Sequence, residues 1–459
     1  MARNPILYFI PGFLLLFLSG CAEAPVKVGG NNVEKPLQEV TGLTTSDVEK
    51  AAQKPVLNLW DVYALAVKHT ETLATNAENV QQAKSQNAQA IGAWLPQIYL
   101  NEDKSFQSNS YIFGSQTASF QPADNSLYLS GAETIFGGLN QVAAVQGASA
   151  NIDLQQYNFQ NQSRLLLLNV ANAFYNVLSL EETLQALEKS RDLNQQILNL
   201  EKQWQVMGRS RTADVSNTQA QLMQTLADLE NDKYLLAQAR ENLAVLAGLK
   251  PDQALASEEN YSQPAYSLED AESKVEKRPD VKSAKANIDV ADAELLQAHG
   301  QHLPSLAFQG QYYLQKDGGN PTNDWNIQLL ASLPLFEGGQ IVAQEDQAAS
   351  KKRQAELQLS LTRRTASDDI REAYKSLVDS LGETDAYQKA EQAYEQDYQD
   401  VLHDLRLNLT TNLELLQVMT SLENTRISYI KAKYQSLYDW VWLGVATGEL
   451  PKITKEKQD

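Results

Sequence analysis

The sequence predicts a mainly α-helical fold with membrane-type β-strands, built as a duplicated helix-hairpin-helix unit. Three observations predict it. The chain nearly repeats itself, "ETIFGGLNQ" at Glu133 to Gln141 answering "SLPLFEGGQI" at Ser332 to Ile341, with Phe136 and Phe336 200 positions apart. Two stretches, Leu139 to Gln205 and Gln340 to Arg406, carry no proline or run of interior glycine and read as single long helices. Between helices lie short segments in which apolar and polar residues alternate with period two.

Composition agrees. Of 459 residues, only 22 are Gly and 14 Pro, so helix breakers are scarce. A net charge of -19 excludes a nucleic-acid partner, which needs a basic surface.

In chain order, Arg3 precedes an apolar run from Ile6 to Leu18 that is too short to span a bilayer and has the form of a signal peptide. Leu18-Ser19-Gly20-Cys21 has the form of a bacterial lipoprotein signal box. Residues 1–20 are thus predicted to be a removed signal, with Cys21, the only cysteine, as a lipidated first residue. Residues 21–56 are predicted to be extended and equatorial. Repeat 1 spans 57–248, a linker 249–266, repeat 2 267–448 and a tail 449–459.

The duplication extends well beyond the opening pair. Asp214 answers to Glu414, Leu222 to Leu422, Tyr234 to Tyr434, Gly248 to Gly448 and Pro251 to Pro451. Upstream, "WLPQI" at Trp94 answers to "HLPSL" at His302, so the first copy is longer between Leu-Pro and Phe-Gly. Two units this long are a duplicated domain and not a solenoid. Val215, Leu222, Leu229, Leu236 and Leu243 recur every seven residues, as do Leu415, Leu422, Tyr429 and Leu443, with Ser436 the exception. That spacing predicts coiled-coil packing. Each long helix would run ~100 Å. The shorter helices, Glu71 to Trp94 with Thr212 to Gly248, and Asp280 to His302 with Asn412 to Gly448, would stack end to end beside them.

The strand pairs fall at about 96–136 and 304–336. In the second, Trp325, Ile327, Leu329, Ala331, Leu333 and Leu335 alternate with Asn326, Gln328, Leu330 and Ser332. Strands of about ten residues suit a tilted membrane barrel. In the first, Glu102 and Glu133 interrupt the pattern, and a soluble hairpin is the alternative there. Four strands per chain cannot close a barrel. Two or three chains could, and a conduit favours three, because eight strands leave an interior filled by side chains.

These features, together with "EKRPDV" (Glu276 to Val281), "VMGRSRTADVSNTQAQL" (Val206 to Leu222) and "LAVLAGL" (Leu243 to Leu249), resemble the TolC-type outer membrane factor family from about Leu57 to Gly448. The resemblance implies a homotrimeric twelve-stranded β-barrel standing on a long α-helical coiled-coil barrel, in the outer membrane of a Gram-negative bacterium and extending into the periplasm. It implies an exit duct for a tripartite efflux or export system, partnered by a periplasmic adaptor, an inner-membrane pump and outer-membrane lipid. Lipid anchoring leans toward members paired with proton-driven multidrug or metal pumps.

Adaptor contact would fall at two helix-turn-helix tips: Gly208, Arg209, Ser210, Arg211 and Thr212, and Leu407, Asn408, Leu409, Thr410 and Thr411. The second tip, "LRLNLTTNLELLQ", lacks the family's Gly-Thr-Arg, so a gate built on that arginine has no counterpart. The periplasmic aperture would carry Asp214 and Glu414, with Gln417 where an acid is usual. An ordinary N-terminal helix charge is the equal alternative for both carboxylates.

No nucleophile elbow or phosphate loop is present, so the chain reads as non-enzymatic and without cofactors. His299 and His302 share a helix face, but no ligand follows at metal spacing, and a solvated helix end is expected. The competing class is a lipid-anchored periplasmic coiled-coil structural or adaptor protein without a pore. It would carry one hairpin and compact β-domains, where this chain has two hairpins and two amphipathic strand pairs.

Overall fold

The computed structural model describes residues 45–105, 124–257, 267–317 and 324–448. Before repeat 1 lies α1 (Thr45–Gln53), and β1 (Val56–Leu57) leads into the repeat, which comprises α2 (Leu59–His69), α3 (Glu71–Gly92), β2 (Gln97–Ser105), β3 (Asp124–Gly137), α4 (Asn140–Val206) and α5 (Thr212–Ala247). The linker carries β4 (Ala254–Leu255), and repeat 2 follows with α6 (Leu268–Glu272), a 3-10 turn (Val275–Lys277), α7 (Pro279–Gly300), β5 (Ser305–Asp317), β6 (Trp325–Ser332), α8 (Gln340–Arg406) and α9 (Asn412–Ala446). Within 21–56, α1 is helical where an extended segment was expected.

Both long helices, α4 and α8, have 67 residues, a run of ~100 Å each. Helix α3 lies along the first part of α4, where Asn151 meets Gln86, and α5 along the last, where the Asn194 amide donates to the Thr225 hydroxyl at 3.1 Å. Helices α7 and α9 flank α8 in the same way. The heptad leucines Leu222, Leu229, Leu243, Leu415, Leu422 and Leu443 are all buried. Ser436, the exception in that series, is buried too, its hydroxyl turned onto the Lys433 carbonyl at 2.8 Å.

The main core sits midway down the rod. Val62, Tyr63, Ala66 and Val67 of α2 pack against Leu167, Val170, Phe174 and Val177 of α4 and the ends of α5 and α9. The parallel pair β1·β4 lies at this level, joining the segment before α2 to the one after α5.

Strands β2-β3-β5-β6 form one antiparallel sheet in that order, so the two repeats meet at β3·β5 and, among the described residues, both outer edges are unpaired. Its faces differ. One carries the cross-strand rows Leu100-Leu129-Tyr312-Trp325 and Ile98-Gly131-Gly310-Ile327. The other carries Gln97-Ala132-Gln309-Gln328 and Tyr99-Ser130-Gln311-Asn326. The acids that interrupt the pattern lie in rows bounding the apolar ones, Glu102 beside Leu127 and Glu133 beside Phe308.

Strand β3 runs directly to the turn before α4, but β6 stops at Ser332, short of Leu333 and Leu335. Pro334 supplies no ladder donor, and its ring restricts the residue before it. In repeat 1 the Gln141 side chain accepts from the Gly137 amide at 3.0 Å and donates to the Thr134 carbonyl at 2.9 Å. Repeat 2 has Ile341 at that position, which cannot make these bonds. The Gly-Gly punctuation now has its reason: Gly138 (φ 60°), Gly338 (φ 61°) and Gly339 (φ 87°) are left-handed, and Leu139 takes φ 70° where repeat 2 has Gly339.

Candidate functional site

The two tips lie at the far end of the helices from the sheet and close by the same device. After α4, Gly208 adopts φ 72° and the Arg209 amide bonds back to the Trp204 carbonyl at 2.8 Å. After α8, Asn408 adopts φ 60° and the Leu409 amide bonds back to the Asp404 carbonyl at 2.9 Å. Each is a helix C-terminal turn that needs a left-handed residue, and Asn is the usual substitute for Gly. Asn408 has a second use: its side-chain oxygen accepts from Arg209 Nη2 at 3.2 Å, tying one tip to the other. The Arg209 guanidinium also sits over the Trp204 ring, 5.4 Å from its centroid.

The returning helices start differently. Asp214 is buried, accepts the Arg211 amide at 3.1 Å and grips the Arg211 guanidinium through Nε at 3.0 Å and Nη2 at 2.9 Å. Those bonds hold its carboxyl below the usual aspartate range. Glu414 is exposed, takes the Thr410 hydroxyl, and its amide donates to Thr411 Oγ1 at 3.3 Å. Gln417 is exposed, as are Arg211 and Thr212. Both expected aperture carboxylates thus stand in the first turns of helices, but only Asp214 accepts a main-chain cap bond, while α9 is capped by Thr411. Asp214 has its charge matched within the chain, while among the described contacts Glu414 meets only a hydroxyl.

Three tip residues escaped sequence reasoning. Asn412 is buried and donates to the Asp214 carbonyl and to Thr218 Oγ1, both at 3.1 Å, bridging α9 to α5. Glu201, also buried, accepts the Ser210 hydroxyl; burial first, and the nearby Asp214 charge, push its carboxyl up. The third is Leu413, which with Val206, Met207, Leu407 and Leu409 leaves the tips unusually apolar for an exposed surface. Only the last was open to detection, as a leucine directly after the turn, in the first turn of α9.

The "EKRPDV" motif is more than a helix start. Arg278 is buried and pairs with Asp280 at 2.6 Å and Asp369 at 2.9 Å. Its Nη1 also donates to the carbonyls of Ala366 (3.3 Å) and Ala446 (3.1 Å). Arg164 of α4 reaches Asp280 at 3.4 Å and the Val445 carbonyl at 3.0 Å. Burial, then the neighbouring Arg278, bring Arg164 down to about 10. Burial opposes ionisation of Asp280, but the two guanidiniums hold it low. This cluster joins α4, α7, α8 and the end of α9 at the level of the core.

His299 and His302 both face Glu345 of α8, with Nε2 to carboxylate distances of 3.2 and 3.1 Å, so the helix end is paired and not simply solvated. Among the described residues no group of three or more His, Cys, Asp or Glu is arranged to hold a metal ion. No helix among them is long and apolar enough to cross a membrane. Cys21 lies outside the described residues.

Known proteins share this design. The outer membrane protein TolC of Escherichia coli (strain K12) is 24% identical over 440 residues, covering 91% of this chain and 87% of TolC. The solved structure of the outer membrane protein VceC from Vibrio cholerae superposes with a TM-score of 0.75 at 18% identity, covering 85% of this chain and 96% of VceC. The Campylobacter jejuni CmeC outer membrane channel gives 0.75 at 18% identity, with 87% of each chain covered. Residues 62–249 and 272–449, one stretch per repeat, both match the outer membrane efflux protein family, and the chain belongs to that family.

Proposed function

We propose that this protein is the outer-membrane exit duct of a tripartite efflux or secretion system. It takes substrate from an inner-membrane pump and a periplasmic adaptor and releases it outside. One observation carries the reading: a four-stranded sheet, apolar on one face and, among the described residues, open at both edges, stands on helices of ~100 Å. An open edge facing lipid leaves main-chain donors and acceptors unsatisfied, so the sheet must close with copies of itself. Three copies give twelve strands, with the apolar rows toward lipid and the glutamine rows toward a water-filled lumen.

At the other end, the exposed Val206, Met207, Leu407, Leu409 and Leu413 suit burial against an adaptor. Arg209, Ser210, Arg211, Thr410 and Thr411 supply the polar rim of that contact. Acyl chains on Cys21 add a second hold on the membrane. Glu414, repeated three times around the axis, supplies the charge of the periplasmic aperture.

Purified protein reconstituted in planar bilayers tests the pore, and migration with and without boiling tests the trimer. Discrete conductance steps from a heat-sensitive trimer are expected. A monomer that never conducts would leave the lipid-anchored structural protein as the better reading. Palmitate labelling lost on Cys21→Ser checks the anchor; unchanged labelling would refute it.

A further inference from the structure

Along α4 one seam position recurs every seven residues as Leu180 and Leu187, and then turns polar as Asn194 and Glu201. Glu201 meets the Ser210 hydroxyl at the tip. Asn194 is 1% exposed, in a stretch of seam where Leu193, Ile197, Met419 and Leu422 form an apolar cluster. A leucine would pack there without any hydrogen bond, whereas a buried amide needs partners for both its ends.

Only one end has a partner. The Asn194 amide donates to Thr225 Oγ1 of α5 at 3.1 Å, and Thr225 donates onward to Glu423 Oε2 of α9 at 3.5 Å. Asn194 Oδ1 is buried and meets no donor among the described residues. Asn194, Ser190 and Glu423 line a cavity of about 10 Å³, room for one water at most. The layer thus joins the α4·α5 hairpin of repeat 1 to the α8·α9 hairpin of repeat 2. By the 200-residue correspondence Glu423 answers to Met223 and Asn194 to Tyr394, both exposed, so the duplication does not account for it.

The charges around Glu423 do not favour its anion. From α5, Asp228 has the same sign and is held by Gln224 Nε2 at 3.1 Å. From α9, Arg426 lines the cavity, but its guanidinium is committed to Glu391 at 2.7 Å and Glu395 at 2.9 Å on α8. Tyr398 is the titratable group that α8 places in the cavity wall, and α4 brings only the neutral Ser190, Leu193 and Asn194. Burial, the largest effect, raises the Glu423 carboxyl above its ordinary range, Asp228 adding to it and the Ser190 and Thr225 hydroxyls opposing it.

A neutral carboxyl has the hydroxyl donor that Asn194 Oδ1 lacks. We infer that protonated Glu423 donates to Asn194 Oδ1, making this layer a pH-sensitive clasp that ties the two helical hairpins together and loosens when Glu423 ionises. Its contribution is fully present below the ordinary glutamate value of ~4.3 and is lost as pH rises through the raised value.

Amide exchange of the full-length protein in detergent, corrected for the intrinsic effect of pH, tests this over residues 190–197, 221–229 and 419–426. Wild-type exchange there should accelerate at least tenfold from pH 4.5 to pH 8. Glu423→Gln stays neutral and keeps a donor throughout, and should exchange slowly at both. Glu201→Gln should keep the wild-type acceleration in these segments, which separates the layer from the tip. A flat wild-type response, or the same acceleration in Glu423→Gln, would overturn the clasp and leave a bridging water as the partner of Asn194. Loss of the acceleration in Glu201→Gln would assign it to the tip instead. Infrared spectra give a second reading. The protonated-carboxyl band that wild type retains above pH 5.5 should be weaker in Glu423→Gln, and identical bands would show Glu423 to be ionised and the inference wrong.

Discussion

Asn412, the first residue of α9, donates its side-chain amide to the main-chain carbonyl of Asp214 on the first turn of α5, 3.1 Å away. The residues are 198 apart in sequence, and the bond, with its companion to Thr218, joins the two helical hairpins just inside their tips.

Asn412→Ala should therefore loosen the tips and leave the rest of the molecule alone. Losing a buried hydrogen-bonded amide costs about 1–3 kcal/mol. Amide exchange over residues 205–218 and 404–416 should accelerate by tenfold or more, and cells should become leaky to large polar antibiotics. Unchanged exchange at the tips would show that the bond does not hold them.

At the tip turns, replacing either left-handed residue by valine should cost about 1–2 kcal/mol, whereas Asn408→Gly should keep the turn and lose only the bond from Arg209. Gly208 has open space around it, so the penalty of Gly208→Val is backbone strain alone. The trimer should persist while efflux and cross-linking to the adaptor fall. Equal cross-linking for Gly208→Val and wild type would remove these turns from the docking surface.

Arg278→Ala should be among the most damaging single changes outside the sheet. It leaves Asp369 without its guanidinium, Asp280 with only Arg164 at 3.4 Å, and the carbonyls of Ala366 and Ala446 without this donor. Breaking a fully buried pair costs about 3–5 kcal/mol, and the loss here is smaller because the Asp369 side chain is 43% exposed. Because the folded Asp280 value is depressed, its contribution is fully present above the ordinary value of ~3.9 and is lost as pH falls through the folded value. Thermal unfolding should show a large loss at pH 7 and a smaller difference from wild type in strong acid.

Glu201 has the opposite sign. Its folded value is raised, so the folded state binds the proton more tightly and stability declines as pH rises from the ordinary value of ~4.3 through the shifted one. Glu201→Gln keeps an acceptor for Ser210 and removes the charge, and should flatten that decline. Tip exchange rates compared at pH 4.5 and 7.5 would check it, a wild-type slope in the variant being the contrary result.

For permeation, Glu414→Gln should weaken cation preference measurably, while Asp214→Asn should change it little, because Arg211 already neutralises that carboxylate. A ring of like charge at a constriction concentrates counter-ions. Reversal potentials under a salt gradient distinguish the two. A larger shift for Asp214→Asn would reverse the assignment.

Much of the architecture was legible because it rests on local properties. The absence of breakers from Leu139 to Gln205 marked α4 to within a residue, and alternation from Trp325 marked β6, though it ran on to Leu335 where the strand ends at Ser332. The period of the leucines named the buried seams. The left-handed need at 208 was visible as glycine. At 408 it was hidden, because asparagine serves that conformation and many others.

What stayed out of reach involves partners chosen by folding. Arg278 reads as a helix start until α8 brings Asp369 to it and α9 ends with its carbonyls beside it. Asp214 and Glu414 occupy matching positions and look alike in the chain, yet one is buried against Arg211 and the other is exposed. Helix length and strand alternation follow from the torsional preferences and hydrophobic period of neighbouring residues, which any stretch of sequence displays. The bonds from Arg278 to Asp369 and Ala446, and from Asn412 to Asp214, join residues 91, 168 and 198 apart, and those distances close only when the helices pack.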